Sequence, residues 1–168
     1  MAYADYSFYT DTFHGDVLTE ANAAKWLERA SDELDTLTFR RLENGFPENS
    51  SDAARVRKAV CAMAEALYYI DEQLRAAAVQ RDESGQYVGA VASVKSGAES
   101  VSYASLGSAA GASVYAAAAA SPAAKALVIL DIALRYVANT PDRYGTNLLY
   151  AGAEPWRDVP CSTIFTPM

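Results

Sequence analysis

Residues 51–74 read SDAARVRKAVCAMAEALYYIDEQL, and this stretch decides the fold class. Val56, Val60, Met63, Leu67, Ile70 and Leu74 recur at alternating steps of four and three. That spacing puts them on one face of an α-helix of about five turns. Ser51 and Asp52 cap its start, because short polar side chains satisfy the free amides of a first turn. Ala59, Cys61, Ala62, Ala64 and Ala66 flank the stripe and are small enough to let a second helix approach closely.

The segment before it supplies that second helix. Thr19 is an N-cap with Glu20 in the first turn, where a negative charge suits the helix dipole. Ala23, Leu27, Ala30, Leu34 and Leu37, joined by Trp26, form one stripe on a helix of about twenty residues. Asp32, Glu33 and Asp35 are expected on the opposite, solvated face. The pattern fades at Gly45-Phe46-Pro47, a glycine and proline stop. The two helices read as an antiparallel pair joined through residues 45–51.

Beyond residue 79 the periodicity breaks. Residues 80–85 (QRDESG) are a polar loop, and after it Val88, Val91 and Val94 lie among small residues. Val101 and Tyr103 then alternate with Ser100, Ser102 and Ala104. Two short β-prone runs about Ser96–Ala98 predict a hairpin near residues 88–106. Residues 107–121 are alanine, glycine and serine broken by Val114 and Tyr115, and fit either a short helix from about Ala112 or an ordered loop. Ser121-Pro122 predicts a helix start, with Leu127, Leu130, Leu134 and Val137 as its buried stripe, widened by Ile129 and Ile132. This helix stops before Asn139-Thr140-Pro141. The expected architecture is mainly α: a small bundle of about three to four helices with a short β-hairpin insertion and extended terminal arms. The expected division is an aromatic N-terminal arm over 1–18, a helical domain over 19–152 and a C-terminal arm over 153–168.

The two arms carry unusual side chains. Tyr3, Tyr6, Phe8, Tyr9 and Phe13 crowd the leader, reading as an ordered strap that packs on its own domain or on a neighbour. Trp156 stands in the Pro-rich tail and Phe165 near its end, and a tail tryptophan is normally docked on something. Met1–Asp5 has neither the basic nor the apolar region of a secretory signal, so none is expected.

The chain has 168 residues, enough for one domain of ordinary size that folds without disulfide or metal. Hydrophobic residues make up 51%, but 34 of them are alanine, so few large side chains carry the core. Apolar surface left over from such a core suits contact with another chain. The net charge of -7 argues against a protein that grips nucleic acid by its phosphates. Arg55, Arg57 and Lys58, with Arg40 and Arg41, sit where helices begin or end and read as solvated charge. The alanine-rich stretch near residue 115 is too short and too weakly apolar to span a bilayer.

Nothing assembles into chemistry. The single histidine, His14, has no partner for a metal site, and Cys61 and Cys161 are far apart in the chain. Cys61 reads as a buried core residue and Cys161 as a free thiol. Residues 107–111 (GSAAG) lack the lysine and the preceding strand of a phosphate loop. No catalytic residue, cofactor site or metal site is expected, and the chain is not read as an enzyme.

Four segments, in order, resemble one family. Residues 30–41 (ASDELDTLTFRR) resemble the "RAS-x-x-ID-x-LT-x-x-R" segment of head–tail connector proteins of long-tailed bacteriophages and prophages. Residues 60–68 (VCAMAEALY) resemble the family's second helix, which reads "AVCAQAE" before an aromatic. Residues 100–103 (SVSY) resemble its "VSVSY" strand, and residues 148–152 (LLYAG) its closing "GLLYRGV", with Ala151 in place of arginine. The resemblance spans roughly residues 20–152 and is weakest over 107–120. It implies a mainly helical, non-catalytic subunit in the virion neck, assembled as a homo-oligomeric ring of about twelve copies. Such a ring joins the portal protein to the tail or stopper protein, and double-stranded DNA passes through it without specific binding or any membrane partner. On that reading Tyr6, Phe8, Tyr9, Phe13, Val101, Tyr103, Tyr150, Trp156 and Phe165 are the candidate subunit or portal contacts. An acidic surface toward the channel would let DNA slide. The alternative from another class is a small binding or regulatory protein acting through a groove on the helix pair.

Overall fold

The computed structural model describes residues 2–77 and 113–150, with the backbone of short strands at 80–81, 87–88, 93–96 and 99–102. The chain is mainly α-helical. Its helices are α1 (Tyr6–Asp11), α2 (Glu20–Leu37), α3 (Arg41–Gly45), α4 (Ser50–Ala77), α5 (Val114–Ala120) and α6 (Pro122–Val137). Between α4 and α5, β1 (Gln80–Arg81) pairs antiparallel with β2 (Tyr87–Val88), and β3 (Ser93–Ser96) with β4 (Glu99–Ser102). Val94 stands opposite Val101 in the second ladder.

Helix α4 is the axis on which α2, α5 and α6 all pack. Its stripe is buried from Val56 through Val60, Met63 and Leu67 to Ile70, while Leu74 emerges into solvent. The stripe on α2 faces it, with Ala23, Trp26, Leu27, Ala30 and Leu34 all buried. Alanine shapes this core: Ala23, Ala30, Ala59, Ala64 and Ala133 are inaccessible beside Leu27, Leu34 and Met63. Small side chains bring helix backbones together, so the core gains dispersion contacts where it lacks bulk.

The capping logic of the sequence is realised at α2 and α6, whereas α4 starts under Asn49, whose Oδ1 accepts from the Ser51 amide at 2.9 Å, rather than under the expected Ser51–Asp52 cap. The Thr19 amide donates to Asn22 Oδ1 at 2.9 Å at the start of α2. At α6, Ser121 is the N-cap and Pro122 occupies the first turn, where its missing N–H costs nothing. Ser113 Oγ accepts from the Ala116 amide at 3.2 Å and starts α5, resolving the ambiguity of that stretch in favour of a helix.

Two expectations are corrected. The leucine stripe of α6 does not face the core: Ile129, Ala133 and Val137 do, with Val128, Ile132 and Tyr136 partly buried. Leu127, Leu130 and Leu134 are 67%, 38% and 47% exposed. This helix is apolar nearly all round, so two helical faces satisfied the periodicity. The choice fell to the one whose Ala133 permits close approach. The N-terminal arm is not extended over its length, since Tyr6–Asp11 forms α1, capped by Asp5 Oδ1 accepting from the Phe8 amide at 2.8 Å.

Helix α2 ends in a form the sequence did not announce. The Arg40 amide donates to the Asp35 carbonyl at 2.8 Å and the Phe39 amide to the Thr36 carbonyl at 3.4 Å. This six-to-one and five-to-two pairing closes a helix through one left-handed residue, a position usually held by glycine. Here it is Phe39 at φ 53°, followed by Arg40 at φ 58°. Left-handed backbone costs an L-residue with a Cβ about 1 kcal/mol or more. The turn sends the chain into α3 and leaves the Phe39 ring 58% exposed.

After α6 the chain doubles back over α3. Asp142 Oδ1 accepts from the amides of Tyr144 and Thr146, each at 2.8 Å, which folds residues 142–146 into a tight loop. The Arg143 amide donates to the Gly45 carbonyl at 2.9 Å, and Leu148 is fully buried. A Cβ on Gly45 would press on the Tyr144 ring at 3.3 Å, so the loop packs closely against this glycine.

Candidate interaction surfaces

The polar residues of the α2 and α4 stripes hold the N-terminal arm. The Tyr3 amide donates to Ser31 Oγ at 3.1 Å, and its hydroxyl to Asp35 Oδ1 at 2.6 Å. The Tyr9 hydroxyl donates to Glu65 Oε1 at 2.7 Å and accepts from the amides of Val17 and Leu18 at 2.9 and 3.0 Å. Tyr9 is fully buried, its ring stacked between Tyr6 and Phe13. Burial pushes the Tyr9 hydroxyl up to about 12 and raises the carboxyls of Asp35 and Glu65 above their ordinary range. These groups fasten the chain to itself.

That placement revises the expected contacts. Tyr9 is a core residue and cannot meet a neighbour, because its ring and hydroxyl are spent inside the chain. Tyr6, Phe8 and Phe13 are partly buried against the same core. Asp35 does not lie on a solvated face with Asp32: it is half-buried under Tyr3, and Glu33 pairs with Lys125 of α6 at 2.6 Å. Val101 is placed only by its backbone in β4, and Tyr103, Trp156 and Phe165 lie outside the described residues. Tyr150 is 58% exposed, and its carbonyl accepts from Arg41 Nη2 at 3.1 Å.

Among the described residues, exposed apolar side chains include two groups set on different elements. The first is the corner after α2, where Phe39 stands out; the loop tied to α3 carries Tyr144 and Tyr150, 47% and 58% exposed. The second is the outer face of α5 and α6, where Val114, 64% exposed, joins Leu127, Leu130 and Leu134. A groove of about 540 Å³ runs along it, floored by Val114, Tyr115, Leu127, Val128 and Ile132, with Asp131 and Arg135 at the rim. Asp131 and Arg135 pair at 2.7 Å, which leaves the rim neutral in a chain of net charge -7.

No family model, no curated protein and no solved structure matches this chain. Among the described residues no group of three or more histidine, cysteine or acidic side chains gathers to hold a metal. Cys61 is buried in the core of α4, where burial pushes its thiol up to about 12, far from a reactive thiolate. No helix among the described residues is long and apolar enough to cross a membrane. A mixed groove of about 400 Å³ lies between α2 and α4, lined by Trp26, Arg29, Ile70 and Asp71 among others. The Lys125–Glu33 pair stands in it.

The leucine face was hidden from sequence reasoning because its spacing is that of a core stripe. Phe39 was hidden because nothing in its neighbours signals a left-handed turn.

Proposed function

We propose that the chain is a structural subunit of a bacteriophage neck, forming a ring of about twelve copies between the capsid portal and the tail or stopper. The observation that carries this reading is the employment of the resembling segments. Ser31 and Asp35 of the first hold Tyr3, Glu65 of the second holds Tyr9, and Arg41 of the first holds the Tyr150 carbonyl of the last. The residues that set these segments apart are fasteners of a scaffold rather than members of a catalytic cleft. A bundle with a hairpin insertion near 88–106 and a C-terminal arm over 153–168 belongs to the same proposal.

A ring subunit needs two unlike surfaces, one for each neighbour. The Phe39 corner and the α5–α6 groove offer two such surfaces, both with exposed apolar side chains among the described residues. The net charge of -7 suits a channel wall past which DNA slides. The reading of a helix-pair binding protein draws on the 400 Å³ groove, whose apolar side chains Trp26, Leu67, Ile70 and Leu74 share it with the Lys125–Glu33 pair and other charged groups.

Co-purification with the portal protein, combined with negative-stain microscopy of the complex, tests the proposal. Rings of about a dozen subunits on the portal are expected. A chain that neither binds the portal nor forms rings in its presence would overturn the reading.

A further inference from the structure

We infer that the α5–α6 groove holds the segment after Tyr150 of its own chain, with Trp156 as the side chain seated in it. The inference is independent of the neck reading.

The chain up to Tyr150 is fixed beside the groove. The Asn147 side chain donates to the Ala138 carbonyl at 2.7 Å, and the Leu148 amide to the Thr140 carbonyl at 3.0 Å. The Tyr150 amide then donates to the Asn147 carbonyl at 3.0 Å, closing a turn whose last carbonyl Arg41 holds. These bonds set residues 147–150 on the C-terminal end of α6. Ile132 and Arg135, in the last two turns of that helix, line the groove. The path from Arg135 to Tyr150 is one helical turn, one side-chain bond and one chain turn, which places them within roughly 20 Å of each other. Trp156 is six residues further on and reaches about 20 Å at about 3.3 Å per extended residue. The tryptophan therefore has the length to arrive at the near end of the groove.

What the groove exposes, the segment covers. Val114 and Leu127, 64% and 67% exposed, line about 540 Å³ together with Tyr115, Val128 and Ile132. Trp156, flanked by Pro155 and followed by Val159 and Pro160, is the first large apolar residue after Tyr150. An indole covers about 150–250 Å² of surface, the scale of a groove with few apolar side chains. Its N–H needs one acceptor, and the Asp131 carboxylate at the rim, which Arg135 meets at 2.7 Å, has lone pairs to offer.

Size and charge favour this occupant over a separate protein. The exposed apolar side chains are too few for the roughly 800 Å² per partner of a stable interface. A tethered segment needs far less, because its effective concentration is on the order of millimolar and no second body is immobilised. Two copies of net charge -7 repel. Residues 154–158 (EPWRD), with two acids and one base, carry a single net negative charge toward a rim of one acid and one base.

Tryptophan fluorescence of the full chain tests the inference, because the sequence has two tryptophans and Trp26 is buried. Trp156→Phe supplies the Trp26 signal alone. Trp156 should be shielded from acrylamide to the same degree from about 5 to about 100 μM protein, since a contact within one chain does not depend on concentration. Leu127→Glu puts a charge into the groove at an exposed position and should shift Trp156 at least about tenfold from docked to free. Val114→Glu repeats the test should the first variant fail to fold. A Trp156 as accessible as a free indole in the parent, or shielding untouched by both groove substitutions, would overturn the inference. So would shielding that grows with protein concentration, which would give the groove to the tail of another copy.

Discussion

Arg41 and Tyr150, 109 residues apart, are joined by a hydrogen bond of 3.1 Å from the guanidinium Nη2 to the backbone carbonyl. Arg41 begins α3 and is buried, while Tyr150 ends the described chain with its ring in solvent. The bond ties the last loop to the corner after α2, and with the Arg143–Gly45 backbone bond it closes the end of the bundle. Arg41→Met keeps much of the apolar stem and removes the donors. It should cost about 2–3 kcal/mol, since a charged donor is lost at a buried position. Amide exchange at Leu148 and Leu149 should rise, and unchanged protection there would show that the loop is held by Leu148 packing alone.

The Tyr9 hydroxyl serves three partners at once. Tyr9→Phe keeps the ring and strands the Val17 and Leu18 amides and Glu65, for an expected loss of about 2–3 kcal/mol in urea denaturation. A loss below about 0.5 kcal/mol would mean that water replaces the hydroxyl freely.

Glu65 and Asp35 are raised above their ordinary values chiefly by burial. Their unfolded forms ionise first as pH rises, so the stability they contribute is complete below the unfolded pKa and is lost as pH climbs through the folded one. Glu65→Gln keeps an acceptor for Tyr9 and removes that titration. Between pH 4 and 7 the variant's urea midpoint should therefore fall less than the parent's, and equal slopes would contradict the assignment.

Gly15 has no room for a side chain, because a Cβ there would fall inside the Tyr9 ring. Gly15→Ala should destabilise by about 2–3 kcal/mol through forced movement of ring or backbone. In a Tyr9→Ala background the same change should cost far less, a coupling readable from a double-mutant cycle by thermal denaturation.

Phe39→Gly should stabilise the isolated chain by about 1 kcal/mol, as a residue without Cβ relaxes into the left-handed turn. Chemical denaturation at low protein concentration measures it, and a destabilised variant would show that the exposed ring packs more than its exposure suggests.

Much of the fold was legible. The stripes of α2 and α4, the Thr19 cap of α2, the Ser121-Pro122 start of α6 and the burial of Cys61 follow from local spacing and turn chemistry. The candidate surfaces were not. Tyr9 looked like a residue for a neighbour because an aromatic in a polar leader has the same local sequence whether it packs at home or abroad. Leu127, Leu130 and Leu134 looked like core because helical spacing identifies a face without saying which way it turns.

The sequence by itself determined that the chain is helical, where α2 and α6 begin, and that its large apolar side chains are few. These are properties of short stretches, set by backbone preference and by the period of the helix. Only the tertiary structure decided which face of α6 is buried, that Tyr9 is bonded to Glu65, and that Phe39 rather than a glycine closes α2. Each depends on groups far apart in the chain competing for the same small core, and the alanine surfaces of α2 and α4 admit only what fits closely against them.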